Sequence, residues 1–290
     1  MQKIQRILRF ILNLCKSCIR DDFFGMASEM AFSFVLAFFP FLICLVSIFG
    51  LIGTEHQVNQ LILYFNDIVP LSVMMVIRKT LNDIINSSTG GLLTIGFITS
   101  SIVASNAIAI IIKGLNRAYN VEETRAIWYT RGLSFLIMLL NALIIFIGVN
   151  LIIFGKLIFK IILNFVHLPI DYINLVLVSR WPFVFIALTI MAFLNYYFLP
   201  NISGNKRAKF YSAIPGSLFF CLFWLIASWI FSLYVNNFGM YNRVYGTIGA
   251  FAVLLLWLYY TSLIILIGGG INSQFYRRLK DKTKFLFEKI

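Results

Sequence analysis

The stretch IGAFAVLLLWLYYTSLIILIGGGI, residues 248–271, contains no charged side chain. A helix needs about 20 apolar residues to cross the hydrocarbon core of a bilayer, so this stretch is long enough to span a membrane. Further charge-free stretches of similar length lie at 30–53, 92–112, 132–155, 181–200 and 211–235. Because they are continuously apolar rather than alternating, they favour helices over a barrel. The sequence therefore predicts an all-α, polytopic membrane helical bundle with six transmembrane helices.

The composition excludes a soluble globular enzyme. Of the 290 residues, 60% are hydrophobic and only 12% are charged, which leaves too little polar surface for a soluble chain of this size. Lys and Arg number 24 against 11 Asp and Glu, a formal net charge of +13. The basic residues concentrate in the N-terminal segment and at 113–131, 206–209 and 277–290. By the positive-inside rule, this distribution predicts that both termini are cytoplasmic.

Residues 1–22 precede the first apolar stretch and divide into two helical faces. Apolar and basic residues each recur at spacings of three and four, which is typical of an interfacial amphipathic helix. The apolar face holds Ile4, Ile7, Leu8, Ile11, Cys15 and Cys18, and the polar face holds Arg6, Arg9, Asn13, Lys16 and Arg20. We expect this helix to lie on the cytoplasmic leaflet, with anionic lipid headgroups as partners.

The other segments complete a three-part organisation. Residues 23–276 form the transmembrane domain, and 277–290 form a basic cytoplasmic tail. Within the domain, 55–91 carries two short amphipathic stripes separated by Pro70 and predicts a helical hairpin on the outer side. This hairpin either caps the bundle or packs on its outer face. Asn and Gly residues predict a short connection at 236–247, between the last two spans.

The residue types that catalysis or metal binding requires are scattered. Cys15 and Cys18 form a C-x-x-C pair, but the two histidines, His56 and His167, belong to the opposite side of the predicted membrane. The sequence has no phosphate-binding loop of the G-x-x-x-x-G-K type. It therefore predicts no catalytic residue, no metal site and no cofactor. We expect neither an enzyme nor a nucleic-acid-binding protein.

Polar side chains in or beside the apolar stretches are the remaining candidates for function. Asn106, Asn195 and Asn272 are of this kind, and such groups usually face the bundle interior. They either form hydrogen bonds between helices or line a polar translocation route. Glu29, at the cytoplasmic start of the first span, either complements the positive end of the helix dipole or forms a ligand site at the mouth of the bundle.

Three segments carry motifs that are more specific in combination than any one alone. They are ASEMAFSFVLAFFPFL at 27–42, GLNRAYNVEETR at 114–125, and YNRVYGTIGA at 241–250, continued by LWLYY at 256–260 and GGGIN at 268–272. In this order they resemble the YihY/BrkB family of inner-membrane proteins, historically labelled ribonuclease BN. The resemblance implies six spans in the bacterial cytoplasmic membrane with both termini on the cytoplasmic side, in agreement with the span count. It implies little about chemistry, because the molecular function of the family is unsettled.

The matched segments add further candidate residues. Asn116, Arg117, Glu122, Glu123 and Arg125 follow the second span directly, on the predicted cytoplasmic face. Such a group of charges either binds an anionic headgroup or forms a locally paired loop that fixes the helices. Tyr245 lies at the outer start of the sixth span, where an interfacial aromatic anchor is the ordinary explanation. The acidic residue that the family carries in its last motif is Gly270 here, so no carboxylate role transfers to that position.

The leading hypothesis is a membrane protein that binds or translocates an amphipathic or anionic molecule, such as a lipid, through a polar route in the bundle. The first alternative is a non-transporting membrane scaffold that recruits anionic lipids or envelope proteins. The second is the ribonuclease of the old family label. The sequence leaves self-association into a homo-oligomer open. The candidate ligand or pathway residues are Glu29, Asn106, Asn116, Arg117, Glu122, Glu123, Arg125, Asn195, Tyr245 and Asn272.

Overall fold

The computed structural model describes residues 2–52, 90–166, 173–204, 206–237 and 239–287. All regular secondary structure within these ranges is helical, which confirms the all-α prediction for them. The helices are α1 (Gln2–Arg20), α2 (Phe23–Ile52), α3 (Gly90–Tyr119), α4 (Ile127–Val166), α5 (Ile173–Phe198), α6 (Lys206–Asn237) and α7 (Gly239–Phe287).

Each of the six predicted spans lies wholly or almost wholly within one of the helices α2 to α7. The helices are longer than the charge-free stretches that indicated them. Helix α4, for example, continues past Lys156 and Lys160, because lysine interrupts an apolar run without disfavouring a helix. The hairpin predicted at 55–91 lies outside the described residues, apart from the first two residues of α3.

The prediction of a connecting loop at 236–247 is wrong. Helix α6 ends at Asn237 and α7 begins at Gly239. Residues 239–247, although they contain Asn and Gly, are instead the first turns of α7, in which the backbone groups pair within the helix. The basic segment 277–290 is also mostly helical, since α7 continues to Phe287 without a Gly or Pro that would end it.

Three described helical segments are long and apolar enough to cross a membrane. They are Ile127–Ile145, Lys206–Leu233 and Phe251–Lys280. Only 17 to 22% of their most apolar windows is buried inside the chain. Large apolar side chains such as Leu143 and Trp229 are instead exposed. Apolar surface of this extent is unfavourable in water and is typical of helices that face lipid.

The chain forms two compact units. The first consists of Met1–Asp21, Ile112–Leu225 and Ile264–Ile290, and the second consists of Asp22–Ile111 and Ile226–Leu263. Helices α3, α6 and α7 therefore contribute residues to both.

In the second unit, Asp22 directly precedes α2 and caps its first turn. Its Oδ1 atom accepts a hydrogen bond from the backbone N–H of Gly25 at 3.2 Å, as expected of a helix-capping aspartate. Its φ of 52° lies in the left-handed region, which aspartate tolerates better than most residues. Further along α2, Ala31 and Val35 are buried in an apolar cluster with Leu258 of α7.

The first unit contains a close crossing of α6 and α7. Gly216 follows Pro215 within α6, and its backbone N–H donates to Oδ1 of Asn272 in α7 at 2.6 Å. Asn272 is fully buried. A Cβ atom on Gly216 would overlap the carbonyl oxygen of Gly268 and the Asn272 amide. The two helix backbones therefore touch, and only glycine fits at this point.

Two further helices pack against the same part of α7. The Tyr196 hydroxyl of α5 donates to the carbonyl oxygen of Ile265 at 2.9 Å. Leu115 of α3 occupies the space that a Cβ atom on Gly269 would need. Both side chains are buried. The glycines of α7 thus bring the C-terminal parts of α3 and α5 together in this unit, which positions the connections that follow them.

We expect Gly216→Ala to destabilise the protein by roughly 1–3 kcal/mol, because the added methyl group must push two helix backbones apart. The measurement is the apparent melting temperature in detergent. Gly132→Ala is the matched control, since Gly132 lies on α4 with no atom within 4 Å of its would-be Cβ atom. Equal melting temperatures for the two variants would contradict the crossing.

Candidate functional site

The chain reverses sharply at the end of α3. The backbone N–H of Asn120 donates to the carbonyl oxygen of Arg117, and that of Val121 donates to Asn116, both at 3.0 Å. This pair of hydrogen bonds is the Schellman motif, which requires a residue in the left-handed region at its turn. Asn120 fills that position with a φ of 56°. The turn directs residues 121–126 back beside the helix they have just left.

Asn116 joins three segments of the first unit. Its Nδ2 atom donates to Oε2 of Glu123 at 2.8 Å, and its Oδ1 atom accepts a hydrogen bond from the backbone N–H of Asn201 at 2.7 Å. The Asn201 side chain in turn donates to the carbonyl oxygen of Glu122 at 2.8 Å and to Oγ1 of Thr124 at 2.9 Å. Asn116 is buried, so both halves of its amide group need these partners.

Arg125 closes the C-terminal end of α5. Its Nη2 atom donates to the carbonyl oxygen of Leu199 at 2.7 Å, and its Nη1 atom lies 3.5 Å from that of Phe198. The same guanidinium binds Glu123 through two hydrogen bonds, from Nε at 2.7 Å and from Nη2 at 2.6 Å. A cation at the negative end of a helix dipole is favourable, and the two-point pairing with a carboxylate fixes its orientation.

This pairing lowers the pKa of Glu123. The hydrogen bonds from Arg125 are the main cause, and the one from Asn116 adds to them, because all of them favour the charged carboxylate.

Lys209, in the first turn of α6, provides a second cation at the same helix end. Its ammonium donates to the carbonyl oxygen of Pro200 at 3.3 Å and lies 5.4 Å from the centre of the Tyr197 ring. The side chain is half-buried. Arg125 and Lys209 thus both bind carbonyl groups of the segment that follows α5.

Helix α1 has three distinct stripes in the first unit, each with residues three or four positions apart. The stripe at positions 10, 14 and 17, which Asp21 continues just after the helix, is half-buried or buried, and its Phe10 packs edge-on against Phe275 of α7 and beneath the Arg278 guanidinium. The neighbouring stripe is polar, basic and exposed, at positions 9, 13, 16 and 20. The third stripe, at 8, 12, 15 and 19, is apolar and also exposed. Because residues two apart on a helix face opposite ways, the apolar stripe points away from α7.

The structure brings together some of the predicted site residues and separates others. Asn116, Glu123 and Arg125 are in direct contact, and Glu122 joins them through its backbone. The side chain of Arg117 is exposed on the same helix end. Two residues of the site, Asn201 and Lys209, are not among those that the sequence predicts. For Asn201 a signal did exist, because a polar residue just after the end of a span lies where helix ends need hydrogen-bond partners.

Three asparagines within the helices of this unit, Asn141, Asn195 and Asn272, have partners in neighbouring helices. Asn195 of α5 and Asn141 of α4 exchange hydrogen bonds at 3.1 and 3.3 Å, and the Asn272 oxygen binds Gly216. Glu29, which is exposed, and Asn106, which is half-buried, belong to the second unit. The side chain of Tyr245 lies outside what the structure describes.

The described residues also include free thiols. Cys15 is exposed, Cys18 is half-buried and Cys221 is buried. Among the side chains that the structure describes, no three His, Cys, Asp or Glu residues form a group that could hold a metal ion.

Comparison with known proteins identifies the family. The family model described as Virulence factor BrkB matches residues 14–288. The chain belongs to the BrkB family. This result confirms the resemblance that the three sequence motifs indicated, and it makes the chain a member of a membrane protein family.

Several relatives in this family resemble the chain over most of its length. The "Putative ribonuclease-like protein YfkH" of Bacillus subtilis is 30% identical, over 88% of this chain and 90% of the relative. A UPF0761 membrane protein of Pseudoalteromonas atlantica is 26% identical, over 97% of this chain and 90% of the relative. Another UPF0761 membrane protein, from Vibrio vulnificus, is 24% identical, over 94% of this chain and 84% of the relative. No solved structure matches the chain.

Removing the Arg125 side chain should destabilise the protein by roughly 1.5–3 kcal/mol, because it leaves the Leu199 carbonyl and the Glu123 carboxylate without their donor. A double-mutant cycle of Arg125→Ala with Glu123→Ala, read from melting temperatures, should give a coupling of about 0.5–3 kcal/mol. Arg117→Ala is the control, and it should change stability by less than about 0.5 kcal/mol. Additive effects of the two mutations would contradict the pairing.

Stability should also depend on pH through Glu123. Because its pKa in the folded state is lowered, the stabilisation is fully present above the pKa of an unfolded glutamate, about 4.3. It is lost as the pH falls through the lower folded-state value. Melting temperatures of wild type and Glu123→Gln, measured between pH 7 and pH 3, should therefore differ most near neutrality and converge in acid. A constant difference across this range would exclude the carboxylate as the cause.

Proposed function

We propose that this member of the BrkB family is a six-span protein of the bacterial cytoplasmic membrane that binds anionic amphiphiles, such as phospholipids, at its cytoplasmic face. Helices α2 to α7 are the six spans in this proposal, and both termini are cytoplasmic. Helix α1 lies along the inner membrane surface, and 55–91 forms a hairpin on the outer side. The concentration of Lys and Arg at 113–131, 206–209 and beyond 276 supports this orientation.

The three stripes of α1 carry the proposal. The exposed apolar stripe contains Leu8, Leu12 and Ile19, which are 57, 50 and 76% exposed. The basic stripe beside it contains Arg9 and Lys16. A helix with this arrangement buries its apolar stripe at the boundary of headgroups and acyl chains, while its cations attract anionic lipid. The Phe10 stripe joins the helix to the rest of the unit, so lipid binding at α1 is coupled to α7.

Exposed aromatic side chains at helix ends support the same membrane position. Trp128 and Tyr129 in the first turn of α4 are 88 and 60% exposed, and Tyr211 near the start of α6 is 61% exposed. Trp and Tyr are enriched where a membrane protein meets the headgroup layer. Trp128 and Tyr129 follow Arg125 closely in the chain, and Tyr211 follows Lys209, so we place the headgroup layer at the depth of the network around Arg125.

The helix asparagines favour binding over translocation. Asn141 and Asn195 use each other as partners, and the Asn272 oxygen is taken by Gly216. These hydrogen bonds stabilise helix contacts and occupy the atoms that make them, whereas the buried Nδ2 atom of Asn272 has no hydrogen-bond partner among the described residues. Translocation through the bundle is therefore the second candidate, and a scaffold that recruits envelope proteins through the same basic face is the third.

The test uses Cys15, which lies in the apolar stripe. In a variant that retains only this cysteine, an environment-sensitive dye on Cys15 should report a more apolar environment in vesicles with phosphatidylglycerol than in pure phosphatidylcholine. Arg9→Gln together with Lys16→Gln should remove most of this difference, as should high salt. Arg117→Gln together with Arg277→Gln changes the net charge equally and should leave the difference intact. Dye emission that is the same in vesicles with and without phosphatidylglycerol would contradict the proposal.

We also propose that the chain is not an enzyme, although the name of the Bacillus subtilis relative, a ribonuclease-like protein, makes a ribonuclease worth testing. Purified protein, separated from contaminating nuclease by two orthogonal columns, should leave tRNA precursors intact in the presence of Mg²⁺ or Mn²⁺. Glu123→Gln serves as the comparison. Cleavage that follows the wild-type protein through both columns and is absent from the variant would overturn this part of the proposal.

A further inference from the structure

We propose that Lys209 and Arg125 form a specific site for the oxyanion of a lipid headgroup, a phosphate in the first instance. This inference rests on the proposed function and deepens it, because it names the residues and the chemical group that anionic lipid binding uses. It concerns the network at the end of α5 and not α1.

Lys209 has unused binding capacity. A lysine ammonium has three N–H donors, and the Pro200 carbonyl oxygen accepts one of them. The Tyr197 ring contributes a weaker contact from its face. No carboxylate of the described residues pairs with Lys209, and the first turn of α6 contains no acidic residue. A half-buried ammonium with neutral partners alone is poorly compensated for the water it has lost.

Arg125 is the second cation at this helix end. Its guanidinium binds the carbonyl oxygen of Leu199 while Lys209 binds that of Pro200, so the two cations contact carbonyls of adjacent residues and repel each other. The charge of Arg125 is balanced by Glu123, and the dipole of α5 contributes about half a negative charge at this helix end. Lys209 remains the cation without an anionic partner. A bound oxyanion would remove the repulsion and supply the acceptors that the ammonium lacks.

The surroundings of the two cations fit an amphiphile better than a free ion. Phe198, Phe210 and Tyr211 lie next to the site in the chain and are 42, 46 and 61% exposed. Phe210 also packs edge-on against Tyr197, whose ring lies beneath the Lys209 ammonium. Apolar surface beside a cation suits a molecule that has an acyl chain attached to its charged group. Inorganic phosphate could satisfy the cations but not this surface.

The experiment is native mass spectrometry of the full chain released from detergent, with phosphatidylglycerol, phosphatidylcholine or inorganic phosphate added. Wild type should retain phosphatidylglycerol in a saturable manner and phosphatidylcholine much less. Lys209→Met should reduce that retention at least several-fold, and Lys209→Arg should restore most of it. Lys206→Met is the matched control, because Lys206 is exposed in the same turn of the same helix and carries the same charge.

The outcomes separate this site from the general proposal. If Lys209→Met and Lys206→Met reduce retention equally, or neither does, the specific site is excluded. If retention then falls only when Arg9 and Lys16 are neutralised, the proposed function stands without this site. If inorganic phosphate is retained by wild type and lost in Lys209→Met while phosphatidylglycerol is not retained, the oxyanion site stands but its ligand is a soluble ion, and the lipid assignment is overturned.

A second measurement covers the case in which Lys209→Met weakens folding. The melting temperature of wild type should rise when phosphatidylglycerol is added, and that rise should be smaller in Lys209→Met whatever its starting stability. An identical rise in both proteins would overturn the proposal.

Discussion

The C-terminal end of α5 is the constraint on which the first unit depends. The helix stops just before Pro200, which leaves carbonyl groups without helical donors. Arg125, from the connection after α3, binds the Leu199 carbonyl, and Lys209, in the first turn of α6, binds the next one, that of Pro200. Asn116 accepts a hydrogen bond from the backbone N–H of Asn201, which follows. Where water is scarce, such groups must find partners within the protein. The turn after α3 and the start of α6 are therefore held at the same place, and the charges that satisfy a helix end also create a basic face.

Much of the fold could be predicted because a membrane restricts the choice of structure. The length of a charge-free stretch in a membrane helix is set by the thickness of the hydrocarbon core, and each of the six predicted stretches lies wholly or almost wholly in a helix. The helix ends could not be predicted in the same way. Lys156 and Lys160 end an apolar run but not α4. Residues 236–237 and 239–247 belong to α6 and α7 although they contain Asn and Gly. Hydropathy indicates where lipid stops and not where backbone hydrogen bonding stops.

The site was predictable only in part, because some of its contacts join residues close in the sequence and others join residues far apart in the chain. Asn116, Glu123 and Arg125 lie within ten residues of one another and could be found as one motif. Their partners Asn201 and Lys209 follow much later in the chain, and the pairing arises only when the glycines of α7 bring α3 and α5 together. Hydrogen bonds to backbone carbonyls carry no sequence pattern at all. This explains why the second cation of the site was missed although the first was found.

A single basic face requires that α1, the end of α3 and the end of α7 all lie on the cytoplasmic side. The direct measurement is labelling of Asn13→Cys, Arg117→Cys and Arg277→Cys, each in a cysteine-free background, with a membrane-impermeant maleimide. All three positions are exposed. Each should react in inside-out vesicles and remain unlabelled in intact right-side-out vesicles. Labelling of any of the three from the outer side would contradict the orientation, and with it the assignment of the Arg125 network to the cytoplasmic headgroup layer.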